Sequence, residues 1–321
     1  MSEAATLSEP AKQPLSRLAI VGLGLIGSSI ARGARQYGLA DTIVAIDQDE
    51  GVRERVSALG LADHVTADAA EGVAGADLVI LCVPVGAVGI VAAAIQGRMK
   101  PGAVLSDVGS VKGAVVAAVA PVLSEGVAFV PGHPVAGTEY SGPDSGFSTL
   151  FSGRWCILTP AEDADAAAVA TVRQLWEGLG AIVETMSPEH HDLVLAITSH
   201  VPHLIAYNIV GTAADLEAVT QSEVIKFSAG GFRDFTRIAA SDPTMWRDVF
   251  LTNKDAVLEM LGRFNEDLAA LARAIRWGDG EALHDLFTRT RAIRRGIVAM
   301  GQETAEPDFG RARPQATRKG A

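Results

Sequence analysis

Leu18-Ala-Ile-Val-Gly22-Leu-Gly24-Leu25-Ile26-Gly27-Ser-Ser-Ile-Ala31 decides the fold. Leu18 to Val21 is a continuous apolar run that reads as a buried strand, and from Gly27 to about Tyr37 the small and apolar residues recur at helical spacing. Between them stands the pattern Gly22-x-Gly24-x-x-Gly27. Gly22 permits a tight turn, Gly24 lets backbone amides approach a pyrophosphate, and Gly27 lets the helix pack close to the strand. With Leu25 and Ile26 these glycines form the expected phosphate site, because unpaired N–H groups and the dipole at a helix N-terminus favour anions.

Working outward, a second strand, Thr42 to Ile46, ends in Asp47, twenty residues beyond Gly27. A carboxylate there can accept hydrogen bonds from both hydroxyls of an adenine ribose, and its charge opposes a 2′-phosphate. No arginine follows before Arg53, so the expected cofactor is NAD rather than NADP. The plainer reading of Asp47 is a loop cap. Strands at Asp77 to Val83 and Ala103 to Asp107, with a helix from about Gly86 to Gln96 between them, continue the alternation, and their unbroken apolar runs mark a parallel sheet. The fold class is therefore an α/β Rossmann-type nucleotide-binding domain. Cys82-Val83-Pro84 and Asp107-Val108-Gly109-Ser110 are the carboxyl ends of these strands, the edge where such sheets bind ligands, so Val83, Pro84 and Ser110 are expected at the cofactor. Ser110 and Lys112 are expected to face the crevice, with Ser110 bonding nicotinamide, substrate or His133, or else capping a helix that begins near Val111.

His133 occupies Gly132-His-Pro-Val-Ala-Gly-Thr138-Glu139, directly after the apolar Phe129 and Val130, and is expected at the end of the last core strand. An imidazole, with an ordinary pKa near 6.5, can accept the proton of a substrate hydroxyl at neutral pH. The bland alternative is a His-Pro turn that only ends a strand. The Gly/Ser/Pro-rich loop from Thr138 to Gly153 is expected over the mouth of the crevice. Strands at Arg154 to Thr159 and Ala181 to Thr185, flanking a helix from Ala164 to Leu179, complete a domain spanning residues 17–187.

From Pro188 the pattern is helical, giving an all-α domain over residues 188–301. Its first helix carries Ser199, His200, Pro202 and His203; Pro202 should kink it, and Ser199 and His203 share a face. A metal pair at His200 and His203 is set aside because no further ligand stands nearby, so no metal is expected; a core histidine bonded to a backbone carbonyl is the other reading. Arg237 precedes a helix starting at Pro243, and with Asp234 to orient it would clamp a carboxylate, or else form a surface salt bridge. Helices read over Pro243 to Gly278 and Gly280 to Met300 have apolar faces, including Leu251, Val257, Leu258, Leu261, Leu268, Leu271 and Ile275, that imply a homodimer. Residues 1–16 and the basic stretch 302–321 are expected to be disordered.

The 321 residues carry a formal net charge of −11, which argues against nucleic acid or an anionic membrane as partner. Two scattered cysteines, Cys82 and Cys156, suit a reducing cytoplasm, and no stretch is expected to reach the apolar length of a membrane span.

Together the motifs Val21 to Ala31, Asp107 to Gly113, Gly132 to Gly142, Ser199 to His203 and Gly230 to Asp248 resemble the prephenate/arogenate (cyclohexadienyl) dehydrogenase family of tyrosine biosynthesis, from about Arg17 to Met300. The resemblance implies NAD-dependent oxidative decarboxylation of prephenate or arogenate. Hydride would leave the hydroxyl-bearing ring carbon, carbon dioxide would be lost, and the ring would become aromatic. It implies that His133 accepts the hydrogen bond of the ring hydroxyl with support from Ser110, and that Arg237 holds a substrate carboxylate. Thr138 and Glu139 would line and gate the pocket, while Ser199 and His203 would face the substrate. His203 as a donor fits a keto acid, and Glu139 could attract an ammonium, so both substrates stay open. Two other readings remain: a 3-hydroxyacid dehydrogenase, which would place a catalytic lysine where this chain has Ser199, His200 and His203, and a non-enzymatic NAD-sensing regulator using the basic tail.

Overall fold

The computed structural model describes residues 14–138, 140–220 and 229–299. The N-terminal part alternates β1 (Leu15–Val21), α1 (Leu25–Gln36), β2 (Ala40–Ile46), α2 (Glu50–Ala58), β3 (His64–Thr66), α3 (Ala69–Gly72), β4 (Leu78–Leu81), α4 (Val88–Ala94), β5 (Val104–Asp107), α5 (Lys112–Val119) and β6 (Ala128–Val130). All six strands pair in parallel in the order β3-β2-β1-β4-β5-β6. Strand order reverses at β1, whose Val21 lies between Ile46 and Leu81, and this reversal opens the ligand crevice at the carboxyl edge. Both faces are packed: Leu18, Ile20, Leu78 and Ile80 belong to one core, and Ala19, Val21, Val79 and Leu81 to the other. Order begins already at Leu15, which pairs with Ala40. Strand β3 was not expected, since His64-Val65-Thr66 is a short edge strand without an apolar run.

His133 does not end the last strand of this sheet. Pro131 follows β6, offers no N–H to continue the ladder, and gives its carbonyl to Thr159 N at 2.9 Å. The chain then forms β7 (Gly132–Pro134), the first strand of a separate sheet with β8 (Trp155–Leu158) and β9 (Ile182–Thr185), the latter two linked by α6 (Ala166–Gly178). Strand β7 runs antiparallel to β8 and places His133 opposite Ile157.

Much of the loop after Thr138 is fastened to the sheet domain. Asp144 pairs with Arg55 of α2, with contacts of 2.5 to 2.9 Å. Phe147 N donates to Ser29 Oγ of α1 at 3.1 Å, and a Cβ at Gly146 would stand 2.2 Å from Ser28 Oγ.

The helical part comprises α7 (Pro188–Leu195), a π-helical turn at Ala196–His200, α8 (Val201–Thr220), α9 (Gly230–Thr236), a 3-10 turn at Arg237–Ala240, α10 (Pro243–Thr252), α11 (Lys254–Trp277) and α12 (Gly280–Ala299). Ser187 caps α7 by accepting from His190 N at 3.2 Å, and Asp242 caps α10 by accepting from Met245 N at 2.8 Å. The π turn stands just before Pro202, which cannot donate to the carbonyl of Thr198. The single helix expected over Pro243 to Gly278 is two, broken at Asn253, whose side chain turns into the fold. A second correction concerns hydropathy: the run Pro188–Leu216, with a mean hydropathy of 1.5, is long and apolar enough to cross a membrane by length and composition. It nevertheless carries His191, Asp192 and His200 as buried polar groups hydrogen-bonded inside the fold.

Residues up to Met260 form one compact unit and those from Leu261 a second. In the second, Leu268, Ile275, Trp277, Phe287, Ile293 and Val298 are exposed. The segments 1–13, 221–228 and 300–321 lie outside the described residues, and with them most of the expected lead-in and all of the expected basic tail.

Candidate active site

The dinucleotide loop is set by close backbone packing. Gly22 adopts φ +93°, and a Cβ there would lie 2.5 Å from the Cys82 carbonyl oxygen; a Cβ at Gly27 would lie 2.0 Å from the carbonyl oxygen of Gly22. Gly24 is different, since no atom lies within 4 Å of where its side chain would be. It stands at the N-cap of α1, beside Leu25 and Ile26, and no side chain caps that helix. This open, uncapped N-terminus fits a pyrophosphate. Asp47 is held in place by two amides, Oδ2 accepting from Leu23 N at 2.8 Å and Oδ1 from Asp49 N at 3.0 Å. Arg53 donates from Nη1 to the carbonyls of Asp47 and Gln48 at 2.9 and 2.8 Å. Val83 packs beside Gly22, and Pro84 starts the 3-10 turn leading into α4. The residues present therefore fit NAD.

Half-buried His133 faces a chain of polar groups beneath β7. Its Nδ1 lies 2.8 Å from His191 Nε2, and His191 Nδ1 lies 2.8 Å from Asp192 Oδ1. Asp192 also accepts from the first amides of α5, Lys112 N at 2.7 Å and Gly113 N at 2.8 Å. The cap expected of Ser110 is thus supplied by Asp192 from another helix. The Ser110 hydroxyl, partly exposed after β5, makes no hydrogen bond among the described residues. Lys112 does not face the crevice. It is fully buried, and its Nζ donates to Asp107 Oδ2 at 2.5 Å and to the carbonyl of Gly132 at 2.6 Å. The lysine therefore holds the residue that precedes His133. Burial, followed by the neighbouring His191, Lys112 and His200, holds the His133 pKa well below the usual imidazole value. His133 is neutral at pH 7 and able to take a proton.

Across the crevice, Val85 and Val111 of the sheet domain pack with Trp246 and Val249 of α10, bringing the helical face to the sheet edge. His203 stacks on Trp246 with ring centroids 3.7 Å apart. Its Nδ1 bonds the carbonyl of Ser199 at 2.8 Å, so Nδ1 carries the hydrogen and the neutral ring presents Nε2 as an acceptor. The donor role expected of His203 would require protonation, and burial, its largest influence, lowers its pKa. Arg237 begins the 3-10 turn after α9 and is near enough to His203 to contribute to that lowering. The Asp234 carboxylate pairs with Arg233 at 3.2 Å on the exposed side of α9. Thr138 accepts from Tyr140 N at 3.2 Å, and Glu139 lies outside the described residues.

The family model described as prephenate dehydrogenase, nucleotide-binding domain, matches residues 30–185, and that described as prephenate dehydrogenase, dimerization domain, matches residues 187–289. The chain belongs to the prephenate dehydrogenase family. It is 45% identical over 277 residues to the cyclohexadienyl dehydrogenase of Zymomonas mobilis, covering 86% of this chain and 94% of that one. Among solved structures it resembles prephenate dehydrogenase from Aquifex aeolicus in complex with hydroxyphenyl propionate and NAD+, with a TM-score of 0.82 and 34% identity over 91% of this chain and 99% of that one. Synechocystis arogenate dehydrogenase gives a TM-score of 0.75 at 26% identity, over 88% and 99% of the two chains. The prephenate dehydrogenases are oxidoreductases, and NAD is the cofactor of this chain. The hydroxyacid dehydrogenase and regulator readings are not favoured, and residues 188–220 contain no lysine to serve the former.

Sequence reasoning missed four residues that the structure places around His133 and His203. His191 and Asp192 sit in Glu189-His190-His191-Asp192 just after a helix cap, where two histidines and an acid look like a solvated first turn. Asn253 bonds the Asp192 carbonyl at 2.9 Å and His200 Nδ1 at 3.1 Å, and Trp246 forms the floor under His203. Only the break at Asn253 had a possible local signal, since asparagine readily ends a helix.

Proposed function

We propose that the chain catalyses the NAD-dependent oxidative decarboxylation of prephenate, arogenate or both, yielding 4-hydroxyphenylpyruvate or tyrosine. What supports this reading is a neutral histidine, His133, held beside the carboxyl edge of an NAD-binding sheet and hydrogen-bonded to His191 of the first helix of the helical part. Bound NAD supplies the acceptor for the hydride of the hydroxyl-bearing ring carbon. His133 accepts the hydroxyl hydrogen, and Ser110, whose hydroxyl is free among the described residues, supports the substrate oxygen or nicotinamide. Arg237 holds a carboxylate. Ser199, His203 and Thr138, with Glu139, line the pocket.

The sheet domain ends near Ser187, and the chain works as a homodimer through the helical region, where exposed apolar side chains such as Leu258, Ile275 and Phe287 need cover. Neither nucleic acid nor membrane is a partner, in keeping with the net charge of −11, and the free cysteines suit the cytoplasm.

The test is NADH absorbance on adding prephenate and arogenate separately to the full chain with NAD. Either substrate alone, or both, producing NADH supports the reading and assigns specificity. Silence with both, with NADP also tried, overturns it.

A further inference from the structure

We propose that Asp192 and His191 form a positioning relay that locks His133 in its Nδ1–H tautomer, making Nε2 the atom that takes the substrate proton. This deepens the dehydrogenase reading and rests on it. The argument is a count of donors and acceptors. Asp192 is a carboxylate, hence acceptor only, and Oδ1 lies 2.8 Å from His191 Nδ1. His191 Nδ1 therefore carries a hydrogen. A neutral His191 then has only a lone pair on Nε2, which lies 2.8 Å from His133 Nδ1. Its neutrality follows from full burial, the main cause of its lowered pKa. His133 Nδ1 must consequently be the donor, and its Nε2 keeps the lone pair.

The relay is anchored at its far end. Lys112 N and Gly113 N, at the positive end of α5, bond the two oxygens of Asp192 at 2.7 and 2.8 Å, and Asn253 Nδ2 holds the Asp192 carbonyl at 2.9 Å. Rotation of the carboxylate would break its bonds to the Lys112 and Gly113 amides, so the tautomer is imposed from the helix terminus outward.

The chemistry balances without external reagents. As hydride leaves the ring carbon for NAD, the O–H bond breaks, its electron pair forms a carbonyl, and the proton goes to His133 Nε2. The resulting imidazolium is bonded through Nδ1–H to His191, with the Asp192 charge behind it. Loss of carbon dioxide returns an electron pair to the ring, giving a phenolate that recovers the same proton from Nε2. The proton is borrowed, not released.

The test uses the full chain with 15N-labelled histidine, His133 being assigned by the signal lost in His133→Asn. In the wild type, His133 should show a protonated Nδ1 and a lone-pair Nε2. His191→Leu removes the acceptor, so His133 should shift toward the Nε2–H form, and single-turnover hydride transfer should slow about 100-fold with NAD affinity unchanged. His191→Gln, whose Oε1 can replace the acceptor, should keep the Nδ1–H form and stay within about tenfold of the wild-type rate. A wild-type His133 in the Nε2–H form, an unchanged tautomer in His191→Leu, or an undiminished rate in that variant would overturn the relay. The wild-type tautomer also decides if a variant fails to fold. If neither prephenate nor arogenate is turned over, the functional reading fails while the nitrogen shifts still decide the relay.

Discussion

Replacing Lys112 by methionine tests whether the charge beneath β7 supports the fold. Lys112 and Asp107 side chains are both fully buried, with Nζ to Oδ2 at 2.5 Å, and the same Nζ donates to the Gly132 carbonyl. Methionine fills nearly the same volume but leaves the Asp107 carboxylate without its counter-charge and the carbonyl without its donor. Removing one member of a buried pair costs about 3–5 kcal/mol, because the remaining charge keeps its desolvation penalty. That is a large part of a total stability of about 5–15 kcal/mol. Urea denaturation at pH 7 should show this loss in Lys112→Met. Adding Asp107→Asn should recover at least about 1–2 kcal/mol, since the amide removes the buried charge yet still offers Gly109 N, now 2.7 Å from Oδ2, an acceptor. Because Gly132 precedes His133, NADH formation should fall in Lys112→Met even under conditions where it remains folded. A stability loss below about 1 kcal/mol, or a double variant no more stable than Lys112→Met, would refute the reasoning.

Three further outcomes are expected. His133→Ala should lower kcat by about 10²–10⁴-fold, whereas Arg237→Ala should raise KM by about 10–100-fold with less effect on kcat, since the departing carboxylate loses charge in the transition state; steady-state kinetics with the opposite split would reverse the roles. His200 has its pKa lowered to about 4, chiefly by burial, so between pH 6.5 and 4 the unfolded chain binds more protons than the folded one. Stability should then be intact above pH 6.5 and fall by about 3 kcal/mol by pH 4 from this group, and His200→Gln should flatten the acid limb measured by denaturation. Asp47→Asn should raise the KM for NAD about tenfold and lower that for NADP, as the carboxylate no longer repels a 2′-phosphate; unchanged discrimination would place specificity elsewhere.

The glycines at 22, 24 and 27 and the acid at 47 were legible in the sequence because their roles depend on local backbone geometry and fixed spacing along one βαβ unit. Apolar runs revealed β1, β2, β4 and β5 for the same reason, while His64–Thr66 and the turn at Pro131 carried too little pattern to show that β3 exists or that His133 starts a second sheet. The candidate residues His133, Ser199, His203 and Arg237 stood out through their motifs. Their protonation states did not, because a tautomer depends on what lies across the fold. His191 is 58 residues from His133, and Asp192 is 80 from the Lys112 amide it caps. Lys112 reads as a polar residue at a crevice, yet chain closure buries it against Asp107 and Gly132. Sequence by itself determined where the cofactor loop lies along the chain and singled out His133 as the candidate proton acceptor. Only the tertiary structure brought His133 against His191 and Asp192, since hydrogen-bond partners are set by contacts that spacing does not bring together.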